Sequence, residues 1–303
     1  MEKYFYYRNF KMGIELDIAG TFIYDGINGL KSMEDFKVES EIFSFLYHIS
    51  VGIERIQKII IVLIEEIRDI KKFEESLKTH SHKGLHERIR QQRKVDFNSR
   101  QYDFLDLISN FYNSGRYNNY LVNSEIERDV IDVNIFLSKY AGINPEQVSY
   151  SISELDKCKE MFGRVIGSIV KSYYNVIQEI CNEKNIYTDE IRYDSKAFRI
   201  FPPKYYKNSL NTINKEEVIA MKELLIYLAN SEDNNGFVDF FRSIEPLGFD
   251  VEDIQNYLCS IVIGKIPRAL ICAVEDLYYE EDVKNRLEQL SVLGNKYVEF
   301  YGE

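Results

Sequence analysis

The segment at residues 79–94, THSHKGLHERIRQQRK, concentrates the side chains best suited to chemistry. It holds three of the chain's four histidines, His80, His82 and His86. The basic residues in and just after it are Lys83, Arg88, Arg90, Arg93, Lys94 and Arg100. Imidazole groups transfer protons or ligate metals near neutral pH, and guanidinium groups bind phosphate through paired N–H donors. Three hypotheses follow: a metal site, an RNA-binding surface or a solvated connector.

A metal site is the weakest of the three. His82 and His86 would share a face at i, i+4, a spacing found in zinc sites, if a helix began before His82, and Glu87 would be a further ligand. Gly84 weakens that helix start, and no nearby cysteine completes a tetrahedral set. The chain also lacks the GxGxxG, P-loop and HExxH motifs. We therefore predict neither a metal ion nor a cofactor.

The basic cluster has two interpretations. Arg88, Arg90, Arg93 and Lys94 could bind phosphate and therefore RNA. Alternatively, they form a solvated helix face that balances acidic neighbours.

A second motif, FYNSGRYNNY at residues 111–120, ends an apolar helical pattern. Arg116 is flanked there by Tyr117 and Tyr120, a combination that suits phosphate contact and nucleobase stacking. It also suits a hydrogen-bonded helix end. In GIERIQK, residues 52–58, Glu54 and Lys58 are spaced i, i+4 on a helix. The pair is either an ordinary surface ion pair or lies at a helix–helix interface.

Composition limits the possible classes of protein. The 303 residues are 45% hydrophobic and carry a formal net charge of −11. That charge argues against broad electrostatic capture of nucleic acid, although a local basic patch can still bind it. The opening MEKYFYYRNF has no signal-peptide pattern, and the most apolar run, IIIVLI at 59–64, is too short to span a membrane. The four scattered cysteines suit a reducing compartment. We expect a cytoplasmic protein without a membrane partner.

The hydrophobic periodicity predicts an all-α fold. The clearest helix covers residues 41–70, where apolar residues recur at three- and four-residue spacing. Gly52 inside it indicates the close approach of another helix, since glycine there costs about 1 kcal/mol relative to alanine. No segment shows strand alternation. The break at Ile143-Asn144-Pro145 predicts two domains, a helical bundle at 1–144 and a C-terminal helical domain at 145–303.

Three motifs occur in an order that resembles the HEPN superfamily: FLYHISVGIERIQK, then THSHKGL, then FYNSGRYNNY. The resemblance covers roughly residues 13–140. It implies a four- or five-helix bundle that pairs with a second copy or a relative. Members are common in bacterial toxin–antitoxin and anti-phage systems, and active ones are metal-independent ribonucleases. In those, an arginine is followed four to six residues later by a histidine.

This sequence departs from that pattern, because no histidine follows Arg116 at the required spacing. The resemblance carries over Arg116 as a phosphate contact but supplies no catalytic histidine. We expect His82, with His80 as second choice, to act as acid or base if the fold brings it to Arg116.

The leading hypothesis is an RNA- or nucleotide-directed protein, a ribonuclease effector of phage defence or a toxin system that works as a homodimer or with a partner protein. The first alternative is a non-catalytic nucleotide- or RNA-binding module. The second is a structural subunit whose apolar helices, 42–70 and 254–277, assemble with a partner.

Overall fold

The computed structural model describes residues 2–113, 115–122, 126–144, 150–202, 210–233, 235–279 and 283–300. Within these ranges the regular structure is helical and contains no strand, which confirms the predicted all-α class. The helices of the first 214 residues are α1 (Glu2–Tyr6), α2 (Met12–Ser32), α3 (Glu39–Ile64), α4 (Ile70–Ser76), α5 (His82–Arg90), α6 (Ser99–Asn113), α7 (Arg128–Ala141), α8 (Ile152–Lys184) and α9 (Ala197–Ile200). A π-helical turn, Tyr7–Lys11, joins α1 to α2, and 3₁₀ turns cover Gly115–Tyr120 and Leu210–Thr212.

The chain forms two compact units, Met1–Asn214 and Lys215–Glu303. This division corrects the predicted boundary after residue 144, because α8 packs within the first unit. Phe162 of α8 lies with its ring centroid 5.3 Å from that of Phe45 on α3. Pro145, on which the predicted break depended, lies outside the described residues. A helix of 33 residues with one apolar face buries that face wherever a complementary surface exists, whatever loop precedes it.

Helix α3 lies at the centre of the first unit. Most of its residues are buried, including the run Ile59–Leu63. Gly52 allows the close contact with α2 that the sequence indicated: a Cβ added there would lie 2.6 Å from Cγ1 of Ile23 and 3.1 Å from the carbonyl oxygen of Ala19. The helix ends at Ile64 rather than near residue 70. Arg8 binds the carbonyl oxygens of Val62 and Glu65 at 3.2 and 2.7 Å, which satisfies acceptors that a helix end leaves unpaired.

The histidine-rich segment forms the entry to α5. The Ser81 hydroxyl accepts a hydrogen bond from the Gly84 N–H at 3.1 Å, which caps the helix at its first turn. Gly84 therefore lies inside the helix, and His82 is its first residue. Leu85 and Ile89 attach α5 to the core. His80 stays outside the helix, in the irregular segment that precedes it.

The second unit consists of α10 (Lys215–Asn230), α11 (Gly236–Ser243), α12 (Val251–Val262), α13 (Arg268–Leu277) and α14 (Val283–Val292). Asp250 caps α12 and Pro267 precedes α13. Among the described residues of this unit only Val238 and Tyr257 are buried. None of the helices in the described part of the chain combines the length and apolarity that crossing a membrane requires.

Candidate functional site

A glutamate, a lysine and a histidine form a connected cluster on the first unit. Glu54 is only 7% exposed. One of its carboxylate oxygens accepts from Lys58 Nζ at 2.7 Å, and the other lies 3.0 Å from His80 Nδ1. The imidazole of His80 is 45% exposed. A carboxylate on Nδ1 holds the proton there, which leaves Nε2 with its lone pair available for proton transfer.

Tyr112, near the end of α6, brings Arg116 to the same place. The imidazole of His80 lies with its centroid 5.1 Å from the Tyr112 ring centroid. The guanidinium carbon of Arg116 lies 4.2 Å from that same centroid and 4.8 Å from that of Tyr117. The imidazole and the guanidinium therefore contact one shared aromatic ring, although 36 positions separate them in the sequence.

The guanidinium of Arg116 has capacity for an anion. No described carboxylate forms an ion pair with it, and its buried Nε has no hydrogen-bond partner in the described part of the chain. Contact with aromatic faces offsets part of the cost of desolvating the charge. Burial raises the pKa of Tyr112, so its phenol stays protonated and available as a donor at neutral pH.

A groove of about 520 Å³ opens beside the cluster, and we call it the histidine groove. Val51 and Ile59 of α3, together with Tyr112, form part of its apolar wall. Its charged lining residues are Lys11, Glu15, Glu54, Arg55, Lys58 and His80. Arg55 pairs with Glu15, as Lys58 does with Glu54. Lys11 has no ion pair with any described residue. The volume lies within the range of small-molecule sites, about 300–1,000 Å³.

His82 and His86 are buried and do not reach this groove. His82 is fully buried with Nε2 2.8 Å from the Ser50 carbonyl oxygen, and burial lowers its pKa. His86 hydrogen-bonds the Tyr173 hydroxyl at 2.9 Å, and burial lowers its pKa to about 4. The prediction of His82 as acid or base is therefore corrected, because its imidazole is fully buried and lies outside the groove. Of the three histidines in this segment, His80 lines the groove.

The basic segment is largely paired with acidic side chains. Arg88 makes two bonds of 2.6 Å to Glu65. Arg93 makes two bonds, of 2.8 and 2.5 Å, to Glu183 on α8. These bidentate pairs use the donors that would bind phosphate, so the alternative of a charge-balanced face describes Arg88 and Arg93 better.

Arg90 and Lys94 are also next to carboxylates. Arg90 lies 3.2 Å from both oxygens of Glu87, and Lys94 lies 3.8 Å from Asp96 with its side chain 90% exposed. Exposed pairs of this kind contribute little and exchange readily. Neither residue lies in the lining of the histidine groove, and Arg116 does not lie in that lining either.

Tyr117 and Tyr120 are exposed beside Arg116. They are 58% and 84% exposed, and their ring centroids are 6.4 Å apart. Exposed aromatic faces next to a cation suit base stacking. Sequence reasoning missed Tyr112 and Lys11 as site residues. The i, i+4 spacing of Tyr112 and Arg116 in FYNSGRYNNY was the available signal for the first, whereas nothing local indicated Lys11.

No protein-family model, no curated protein and no solved structure matches the chain. An imidazole oriented by a carboxylate, with a guanidinium on the same aromatic ring, can move a proton next to a bound phosphate. Lys58 holds the carboxylate from its other side.

Proposed function

We propose that this protein is a metal-independent ribonuclease with its active site at His80, Glu54 and Arg116. One observation carries the proposal: His80 pairs with the buried Glu54 and contacts the same Tyr112 ring as Arg116. In this reaction His80 Nε2 accepts the proton of a ribose 2′-hydroxyl, whose oxygen then attacks the adjacent phosphorus. The bond to the 5′-oxygen breaks, and the imidazolium returns the proton to that leaving oxygen. The products are a 2′,3′-cyclic phosphate and a 5′-hydroxyl.

Each residue has a separate role in the proposal. Glu54 keeps the imidazole in the required tautomer and stabilises its charged form. Arg116 binds the phosphate as charge builds on its oxygens. Tyr117 and Tyr120 offer faces on which the flanking bases stack.

Purified protein incubated with single-stranded RNA in EDTA tests the proposal. We expect cleavage that His80→Gln lowers by about 10²- to 10⁴-fold, the usual contribution of a general acid or base. Arg116→Ala lowers it by about 10²- to 10³-fold. The matched controls are His48→Gln, a partly exposed histidine on α3, the helix that carries Glu54, and Arg164→Ala, an arginine paired with Glu160 on α8.

The result that contradicts the proposal is equal cleavage by wild type and His80→Gln. The first alternative, a non-catalytic nucleotide- or RNA-binding module, predicts salt-dependent RNA binding that Arg116→Ala weakens, with the RNA intact in every reaction. That alternative is favoured by the absence of a histidine four to six residues after Arg116.

Pairing with a second copy and a role in phage defence or a toxin system follow from the HEPN resemblance. Light scattering of the purified protein tests the pairing.

The structural-subunit alternative depends on two apolar regions, α3 and the pair α12 and α13, and only the second of these has apolar side chains available to a partner. The apolar side chains of α3 are buried against α2 and the other helices of its own unit, so they are not available to a partner. Helices α12 and α13 keep exposed apolar residues, among them Ile254, Leu258 and Ile271, each 42–47% exposed. Leu258→Glu tests this alternative, since a shared interface there predicts a change in sedimentation.

A further inference from the structure

The N-terminal segment contains a π-helical turn, Tyr7–Lys11, which other elements hold in place. The Thr188 hydroxyl donates to the Arg8 carbonyl, and the Tyr187 N–H donates to the Asn9 side-chain oxygen at 2.9 Å. The Arg8 guanidinium is bound to the end of α3. Turns of this kind are uncommon and are often found at functional sites. Here the turn fixes the positions of Tyr7 and Lys11.

A second cavity, of about 540 Å³, lies between this turn, α1 and α4, and we call it the N-terminal pocket. Aromatic rings form much of its wall, and Ile67 and Ile70 add apolar surface. The aromatic residues are Tyr4, Tyr6, Tyr7 and Phe73. The ring of Tyr6 lies 5.2 Å from that of Phe10, measured between centroids, and Tyr6 is still 55% exposed, so part of its surface is available to a ligand.

The charges of the N-terminal pocket suit a ligand with both an anionic and a polar part. Lys3 and Lys11 line it, and neither forms an ion pair with a described residue. Glu74 is the acidic residue in the lining. A carboxylate accepts hydrogen bonds from the exocyclic amino group of a base, and ammonium groups bind phosphate.

The N-terminal pocket and the histidine groove are neighbours. Tyr7 and Lys11 line both of them, so the two cavities share a wall. A ligand in the histidine groove that extends past Lys11 enters the N-terminal pocket next. A single-stranded polynucleotide has that form, because it carries a base and a phosphate at every step.

We propose that the N-terminal pocket is a base-binding subsite for single-stranded RNA whose phosphate lies in the histidine groove. The identity of the ligand, RNA, rests on the proposed function. Binding in the N-terminal pocket does not require cleavage, so the two can be tested separately. Tyr6 and Tyr7 stack on an unpaired base, Lys3 and Lys11 contact the adjoining phosphates, and Glu74 accepts from an amino group. A paired base does not enter, so the subsite selects single strands over duplex.

Fluorescence anisotropy with a labelled 12-nucleotide single-stranded RNA tests this subsite. All proteins carry His80→Gln, so that cleavage does not disturb the titration. Tyr6→Ser weakens binding by about tenfold, since it removes an aromatic ring on which a base stacks. The matched control is Tyr193→Ser, a tyrosine of the same unit that is 77% exposed and lines neither cavity. Its affinity stays within twofold of the parent protein.

Lys3→Gln provides a second test of the subsite, which measures the salt dependence of RNA binding and does not depend on Tyr6. The slope of log Kd against log salt concentration decreases by about 0.7, the value for one phosphate contact on a single strand. The subsite is overturned if Tyr6→Ser binds as tightly as the His80→Gln parent protein and Lys3→Gln leaves the slope unchanged. So does duplex RNA binding as tightly as the single strand. If His80→Gln leaves cleavage intact but Tyr6→Ser weakens binding, the proposed active site fails and the subsite stands.

Discussion

Acid should destabilise this protein through His86, and the size of the effect follows from its surroundings. The imidazole is completely buried, lies 4.4 Å from the Phe97 ring in a stacked arrangement and bonds Tyr173 at 2.9 Å. Burial lowers its pKa to about 4, against about 6.5 in an unfolded chain. The unfolded state therefore binds more protons between these two values, and stability is lost as the pH falls through that window.

The loss amounts to about 2 kcal/mol between pH 7.5 and pH 5.0, and about 3 kcal/mol once the pH is below 4. The variant His86→Gln keeps a polar side chain opposite Tyr173 but does not titrate. Its free energy of unfolding should therefore fall less steeply with acid than that of the wild type, by about 2 kcal/mol over the same interval.

Urea denaturation followed by circular dichroism at a series of pH values measures both proteins. Other groups titrate in the same range: His82 also has a lowered pKa, while Asp129, whose pKa burial raises to about 6, acts in the opposite direction. The difference between wild type and variant removes these shared contributions. Parallel curves between pH 7.5 and 5.0 would refute the reasoning.

Three further predictions concern packing, charge and organisation. Gly52→Ala should lower the free energy of unfolding by about 1–3 kcal/mol, because its Cβ would lie 2.6 Å from Ile23. The control Gly29→Ala has open space around its Cβ, so its free energy of unfolding should rise by up to about 1 kcal/mol. Equal urea midpoints for the two variants would contradict this prediction. Asp129→Asn should stabilise the protein by up to about 3 kcal/mol at pH 8 but not below pH 4. Burial disfavours only the ionised carboxylate, which is why it raises the pKa of Asp129. A stabilisation that does not depend on pH would exclude that cause. Residues 1–214 expressed alone should unfold cooperatively and keep any RNA cleavage, because they form one compact unit; loss of near-ultraviolet dichroism would show otherwise.

The helical fold follows from local pattern. The spacing of apolar residues in α3 and α8 predicts helices, because any other conformation would leave their apolar side chains in water. The contact between Glu54 and Lys58 is local as well, since residues four apart on a helix are neighbours. Gly52 correctly indicated a close approach of α3 to another helix, because a glycine inside an apolar helix is tolerated where a neighbouring helix leaves no room for a Cβ.

The pairing of the basic segment required tertiary information. Arg93 binds Glu183, 90 positions later in the sequence, so a local charge count of the segment overstated what is available to phosphate. Likewise the predicted boundary after residue 144 was wrong because the surface that α8 covers is built by α3 and α6, far away in sequence.

The sequence by itself determined that this is a helical protein with a few histidines, arginines and tyrosines in suggestive order. Only the tertiary structure decided which histidine is accessible. His80, His82 and His86 lie in one short segment of similar composition, but α5 turns two of them into the core, while the Ser81 cap leaves His80 outside next to Glu54. Burial is a property of the whole packed surface and depends on residues as distant as Tyr173. The sequence therefore indicated the segment but not which of its histidines is exposed.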